Sequence, residues 1–375
     1  MIDLSFIQKW ISSHATIVSR APTRIDLAGG TLDIWPIHLL LGEPATLNLG
    51  IDLVAETTLR LIETSDPSQQ ILLNSKDQKS ELYLSWKQLL HTSLPPSVEL
   101  HGKLLRHFAR AQPAVTELLE RSGKCLEMST QAKSPAGAGL GGSSALSISL
   151  LGGLHRLFFG EAPLTSIVRE ELIAIARDIE TTVIRVPAGL QDYYGAAFGG
   201  LQKLTWKAAH HHREALPSDT LRSLMGRILL FYSGQSRNSG INNWVLFKAF
   251  IDGDSAVQER FHGIAKATQT LHGALIKKDW QEAGRAIAQE WNIRRGFAPG
   301  ISTPEIDQAF EKAFALGASA GKICGAGGGG CFFLWTDEEN PQIHQRIVTT
   351  LQELGMRHLP FAPIENGLDV TLKSN

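Results

Sequence analysis

The chain has 375 residues, with 36 lysines and arginines against 37 aspartates and glutamates and a formal net charge of −1. So even a balance offers no cationic surface for nucleic acid or an acidic membrane, and the length allows two domains with separate cores. Cys125, Cys324 and Cys331 are odd in number and lack CxxC spacing, which argues against a disulfide framework or a zinc site. No apolar run reaches the roughly 20 residues of a membrane span, and Met1-Ile-Asp-Leu-Ser lacks the basic start of a signal peptide. A cytoplasmic protein acting on small molecules is expected.

Residues 16–28 predict a strand interrupted at Pro22 and halted by Gly29-Gly30. Ala45 to Ile62 predicts a second, with Leu59 and Leu61 alternating against Arg60, turned back by Ser65-Asp66-Pro67. The chain therefore opens as antiparallel sheet. Helical spacing follows at Leu100–Ala111 and Val115–Leu119, then a short strand at Leu126–Ser129.

That strand leads into Ser134-Pro-Ala-Gly-Ala-Gly-Leu-Gly-Gly-Ser-Ser144. Its glycines, at 137, 139, 141 and 142, permit positive φ and close approach of backbone to a ligand. Leu146, Ile148, Leu150, Leu151, Leu154 and Leu157 mark an apolar helix immediately after it. Ser143 or Ser144 then lies near a helix N-terminus, where free N–H groups and the positive end of the dipole favour phosphate. A Walker loop requires lysine where Gly142 stands. The dinucleotide fingerprint matches Gly137, Gly139 and Gly142 but lacks the second strand, ending in an acid about 20 residues on, that would hold a ribose. A glycine-rich turn capping a core helix is the plainer alternative.

Thr165 to about Thr181 predicts a helix with Ile167, Val168, Leu172, Ile175, Ala176 and Ile179 on one face and Thr165 or Ser166 as its cap. Glu180 falls in its last turn, off that face. Strands are predicted at 196–206 and 227–233. The polar stretch Lys207–Ser218 between them reads as a surface loop or domain junction, and its three histidines, His210 to His212, are assigned no chemistry. Asn242 to Trp291 is mostly helical, and Thr303, Pro304 and Gly317 delimit another helix. A second glycine cluster, Lys322-Ile-Cys-Gly-Ala-Gly-Gly-Gly-Gly-Cys331, enters an apolar strand ending at Trp335. The fold class is α+β in two halves, each supplying one glycine-rich loop.

Three segments, RAPTRIDLAGGTLD (20–33), SPAGAGLGGSSA (134–145) and KICGAGGGGC (322–331), resemble in order and spacing the three motifs of the GHMP kinases, and the likeness extends over nearly the whole chain. Residues 29–33, 189–200, 232–237 and 301–307 are similar to the sugar-1-kinase branch, the D-glycero-D-manno-heptose 7-phosphate and fucose kinases. The resemblance implies an N-terminal left-handed βαβ domain (1–215) and a C-terminal ferredoxin-like domain (216–375), with the active site between them. It also implies ATP and Mg²⁺ as cofactors and phosphorylation of a sugar hydroxyl, in this branch the anomeric one.

Carried over by position, Pro135, Gly137, Ala138, Gly139, Leu140, Gly141, Gly142, Ser143 and Ser144 would hold the nucleotide phosphates, and Ser144 and Glu180 the metal. Asp192 matches the aspartate that orients or deprotonates the acceptor, and Arg24 the cation beside it. Asp33, Gly30, Thr31, Gly327 and Gly328 would line the acceptor site. Arg237, Arg294 or Arg295 would anchor a phosphate already on the sugar. Thr31, Leu32 and Tyr193 stand where many heptose and fucose kinases have glycine or tryptophan, threonine or serine, and glutamine, and these departures leave the exact sugar open. Also open are a kinase for another small alcohol of the galactose, fucose, mevalonate or homoserine type, a non-catalytic sugar or nucleotide sensor, and a monomer or a homodimer.

Overall fold

The computed structural model describes residues 4–208, 210–235, 243–325 and 327–374. The chain runs through α1 (Leu4–Ser13), β1 (Thr16–Ala28), α2 (Ile37–Leu40), β2 (Ala45–Ile62), β3 (Ile71–Ser75), β4 (Ser80–Leu84), α3 (Trp86–His91), α4 (Pro96–Ala111), α5 (Pro113–Arg121) and β5 (Cys125–Ala132). Then follow α6 (Gly142–Phe159), α7 (Ser166–Ile184), α8 (Gln191–Phe198), β6 (Leu201–Thr205) and β7 (His212–Ala215). The second half holds α9 (Ser218–Met225), β8 (Ile228–Tyr232), α10 (Asn243–Ile251), α11 (Ser255–Lys277), α12 (Trp280–Arg294), α13 (Pro304–Ala315), β9 (Ala320–Ile323), β10 (Cys331–Trp335), α14 (Pro341–Glu353), β11 (Arg357–His358) and β12 (Asp369–Lys373).

The first sheet is ordered β12-β1-β2-β5-β3-β4, with β6 added to β2 and β7 to β6. The second is ordered β11-β8-β10-β9. β1 and β2 pair antiparallel, as the sequence predicts, and their register shifts between Ala21 and Thr23, where Pro22 has no N–H to give the ladder. β12 pairs with β1 although it follows the whole second half, so the C-terminal strand closes the first sheet.

α6 is buried almost all round and lies on β1 and β2. Gly152 makes this possible: a Cβ there would stand 2.7 Å from Ser19 Oγ. The core under it joins Ile148, Leu151 and Phe158 to Ile17 and Leu59. A second core bridges the halves, placing Ile25, Leu27 and Leu49 against Leu271, Ile287, Phe333 and Trp335. α7 is capped by Thr165 and α13 by Thr303 with Pro304 at its first position, both as expected.

Two expectations are corrected. The strand predicted over 196–206 begins as helix, because α8 runs to Phe198 and only Gly199 and Gly200, at φ 63° and 72°, break it ahead of β6. The stretch 207–218 is more than a loop: β7 pairs with β6, and the His211 ring packs edge-on to buried Trp206 at 5.0 Å. The stretch from 243 to 291 is mostly helical, as expected, with Asp254 and Asp279 each capping the helix that follows. Among the described residues no helix is long and apolar enough to cross a membrane.

Candidate active site

The two glycine loops meet face to face. Cys331 donates its N–H to the Ala138 carbonyl at 2.7 Å, and a Cβ on Gly330 would stand 2.8 Å from that same oxygen. Gly139, at φ 77°, lies so close that a Cβ would be 2.3 Å from the Cys324 carbonyl oxygen. Gly141, at φ 72°, is the residue from which α6 departs, so no side chain caps the first N–H groups of that helix. Of the two acceptor-side glycines expected from sequence, Gly328 donates to the Ile301 carbonyl at 2.7 Å and Gly327 abuts Ile301, facing the 300–301 turn.

Asp192 sits at this junction. It occupies the first turn of α8, a favourable place for negative charge. Its Oδ1 accepts from Arg24 Nε at 2.9 Å and NH2 at 2.6 Å, while Arg24 NH1 donates to the Gly139 carbonyl at 2.7 Å. Its Oδ2 lies 3.3 Å from where a Cβ on Gly141 would be. Arg24 is buried in β1, and its backbone N–H donates to the Leu140 carbonyl at 3.0 Å. Burial works against its charge, but the Asp192 and Asp26 carboxylates outweigh burial and hold its pKa above the ordinary value. Gly195 brings α8 this near: a Cβ there would stand 2.9 Å from Arg24 Cβ. Asn48 fixes the start of α8 through the Gln191 carbonyl at 3.1 Å.

Glu180 is buried, at 5% exposure, rather than solvated as its place off the apolar face suggests. Its carboxylate accepts from Ser143 at 2.5 Å, Ser147 at 3.0 Å and Tyr193 at 2.8 Å. Of Ser143 and Ser144, it is Ser143 that bonds to Glu180, while Ser144 lies beside the Tyr193 hydroxyl. Burial pushes the Glu180 carboxyl above its usual range. Among the described residues no three His, Cys, Asp or Glu side chains gather as a metal cluster. A single carboxylate among hydroxyls, next to a phosphate-type loop, is a hard-oxygen set suited to Mg²⁺, which takes one or two protein oxygens and completes its shell with phosphate and water.

Asp33, 2% exposed, accepts from the Gln191 N–H at 3.0 Å, and Gly189 makes room for it. Burial first, then the charges of Asp192 and Asp26, push its carboxyl up to about 6. A raised carboxyl stabilises the fold fully below its unfolded pKa near 4, and that contribution is lost as pH rises through about 6. Two pH units correspond to about 3 kcal/mol. Asp33→Asn is therefore expected to raise the thermal midpoint at pH 8 and leave it unchanged at pH 4. An equal shift at both pH values contradicts this.

Arg294 cannot serve as a free phosphate anchor. It is 3% exposed and engaged with Glu290 at 2.5 Å, the Gly30 carbonyl at 2.8 Å and Thr31 Oγ1 at 3.2 Å. Arg295 is exposed, and Arg237 lies outside the described residues. Sequence reasoning missed the buried ion network around Arg294, which also includes Lys322 and Asp26. Its sequence traces are Asp26 and Lys322 inside otherwise apolar strands and the four-residue spacing of Glu290 and Arg294 on α12.

The model of the GHMP kinases N terminal domain matches residues 107–200, spanning the first glycine loop, Glu180 and Asp192. That of the GHMP kinases C terminal domain matches 271–350, spanning the second loop. The D-glycero-alpha-D-manno-heptose 7-phosphate kinase of Campylobacter jejuni is 24% identical over 331 residues, covering 86% of this chain and 90% of that protein. The L-fucokinase/L-fucose-1-P guanylyltransferase of Bacteroides fragilis is 27% identical over 365 residues, covering 92% of this chain but 37% of the longer protein. The crystal structure of a D-glycero-D-manno-heptose 1-phosphate kinase from Bacteroides thetaiotaomicron aligns with a TM-score of 0.70 at 24% identity, over 95% of this chain and 98% of that one. The shared feature is the two-domain α+β fold.

Proposed function

The chain belongs to the GHMP kinases and is a phosphotransferase; from that premise we propose that it moves the γ-phosphoryl group of ATP to the anomeric hydroxyl of D-glycero-D-manno-heptose 7-phosphate or a related sugar. One observation carries the reading: the Asp192 carboxylate, gripped by Arg24, lies against the glycine loop that opens α6. Phosphoryl transfer depends on positioning and charge neutralisation more than on covalent chemistry. Backbone N–H groups of residues 137–144 hold the nucleotide phosphates at the positive end of α6. Glu180, with Ser143 or Ser144, would hold Mg²⁺, which when bound neutralises phosphate charge. Arg24 fixes the Asp192 carboxylate, whose outward oxygen orients or deprotonates the acceptor hydroxyl. An anomeric hydroxyl is more acidic than an ordinary alcohol, so a carboxylate suffices for either task. Asp33 accepts hydrogen bonds from neighbouring ring hydroxyls. Arg237 or Arg295 anchors the phosphate of a phosphorylated acceptor. The buried, unpaired thiols Cys125, Cys324 and Cys331 suit the reducing cytoplasm.

The test is ATP consumption with Mg²⁺ on a panel of D-glycero-D-manno-heptose 7-phosphate, L-fucose, galactose, mevalonate and homoserine, with phosphorus NMR locating the new phosphate. Turnover of a sugar with the phosphate on the anomeric oxygen is expected. Phosphorylation of mevalonate or homoserine alone removes the sugar assignment, and ATP binding without turnover of any acceptor points to a sensor.

A further inference from the structure

Thr31 adopts φ 79°, a region that β-branched residues avoid because the side chain crowds the backbone. It lies in the turn that carries Asp33, where Leu32 N–H donates to the Gly29 carbonyl at 3.1 Å and Ile34 N–H to the Thr31 carbonyl at 3.3 Å. A strained residue persists only where its surroundings over-determine it. Here the restraint comes from α12, in the other half of the chain: Arg294 reaches Thr31 Oγ1 with NH1 and the Gly30 carbonyl with NH2.

Arg294 is itself held. Glu290, one helical turn earlier and fully buried, accepts from its Nε at 2.9 Å, and also pairs with Lys322 of β9 at 3.2 Å. Lys322, fully buried, pairs in turn with Asp26 of β1 at 2.9 Å. Asp26, Lys322, Glu290 and Arg294 thus alternate in sign along a buried chain that ends on the Gly30–Thr31 peptide. Buried ion pairs add little net stability over apolar side chains of the same size, whereas a planar fork clamped by a carboxylate fixes geometry well.

We propose that Arg294 is a positioning residue for the acceptor pocket: it holds Thr31 in the left-handed conformation and thereby sets the turn that presents Asp33. The proposal rests on the reading of Asp33 as an acceptor ligand. Arg294 does not touch the acceptor, so its loss is felt in acceptor binding while nucleotide binding is spared.

The test uses D-glycero-D-manno-heptose 7-phosphate and ATP. Arg294→Lys keeps a cation for Glu290 but loses the fork, and is expected to raise KM for the heptose at least fivefold while KM for ATP stays within twofold. Thr31→Gly supplies a residue that takes positive φ without restraint. In the Arg294→Lys/Thr31→Gly double variant, KM is expected to return to within twofold of Thr31→Gly alone. A fivefold penalty that survives in the double variant, or a parallel rise in both KM values, makes the network a general scaffold and overturns the proposal. Thr31→Val, which replaces the hydroxyl Arg294 grips with a methyl group of similar size, tests the link with the ion network intact: raised KM is expected, and unchanged KM overturns it. Asp33→Asn separates the two levels. If it leaves heptose KM unaltered, the pocket assignment fails and the positioning role with it; if it raises KM while Arg294→Lys does not, only the positioning role fails.

Discussion

Asp192→Asn is expected to lower kcat by about 10³-fold, within the range measured for loss of a positioned acid or base, while the dissociation constant for ATP stays within about twofold. The asparagine keeps the size of the side chain and an oxygen able to accept from Arg24 Nε, so the arrangement at 2.9 Å survives while the charge is lost. Leaving Arg24 without its carboxylate costs stability, because its side chain is only 4% exposed. That cost is moderated by the 27% exposure of the Asp192 side chain and by the bond Arg24 keeps to the Gly139 carbonyl. A loss of about 1–2 kcal/mol follows, well short of a fully buried pair broken on one side. Calorimetric titration with a non-hydrolysable ATP analogue, together with single-turnover kinetics, checks the split. Simultaneous loss of nucleotide binding and turnover would show that Asp192 holds the loop together and is not the group acting on the acceptor.

The parts of this site that the sequence reveals are those where chemistry excludes other residues. Only glycine accepts φ 77° at 139 together with a carbonyl 2.3 Å from any Cβ, so the loop that opens α6 and its partner at 325–330 stand out as glycine clusters. Asp192 follows a Gly-Leu-Gln turn, and Arg24 lies on a strand beside Pro22, so both are found through the motifs that carry them. Helix phase is less legible. Whether Ser143 or Ser144 faces Glu180 depends on where α6 starts, since one residue rotates a side chain by about 100°. The start is set by the left-handed Gly141. The same phase decides that Arg294 is buried and Arg295 exposed. Glu180 looks solvated because it lies off the apolar face of α7, but that side is covered by α6 serines and by Tyr193, from helices that periodicity cannot dock. The ion network is least legible of all, because Asp26 and Lys322 are 296 positions apart and meet only through the interface between the halves.

Gly139→Ala is expected to raise KM for ATP at least tenfold, lower kcat by about 10², and destabilise the fold by about 2–4 kcal/mol. Two costs combine. An alanine at φ 77° takes up roughly 1–2 kcal/mol of left-handed strain. Its Cβ would also sit 2.3 Å from the Cys324 oxygen and 3.0 Å from the Cys324 carbonyl carbon, and these are backbone atoms that cannot swing aside. Relief requires the two glycine loops to separate. Because the Gly139 carbonyl is also the acceptor for Arg24 NH1, separation drags the arginine and its bound Asp192 away from the start of α6. Gly123→Ala isolates the first cost: Gly123 has φ 68° with nothing within 4 Å of an added Cβ, so that variant should lose about 1 kcal/mol and keep both KM values. Thermal unfolding and steady-state kinetics on the two variants decide the matter. If Gly139→Ala behaves like Gly123→Ala, the contact between the loops is incidental, and nucleotide binding does not depend on the two halves meeting there.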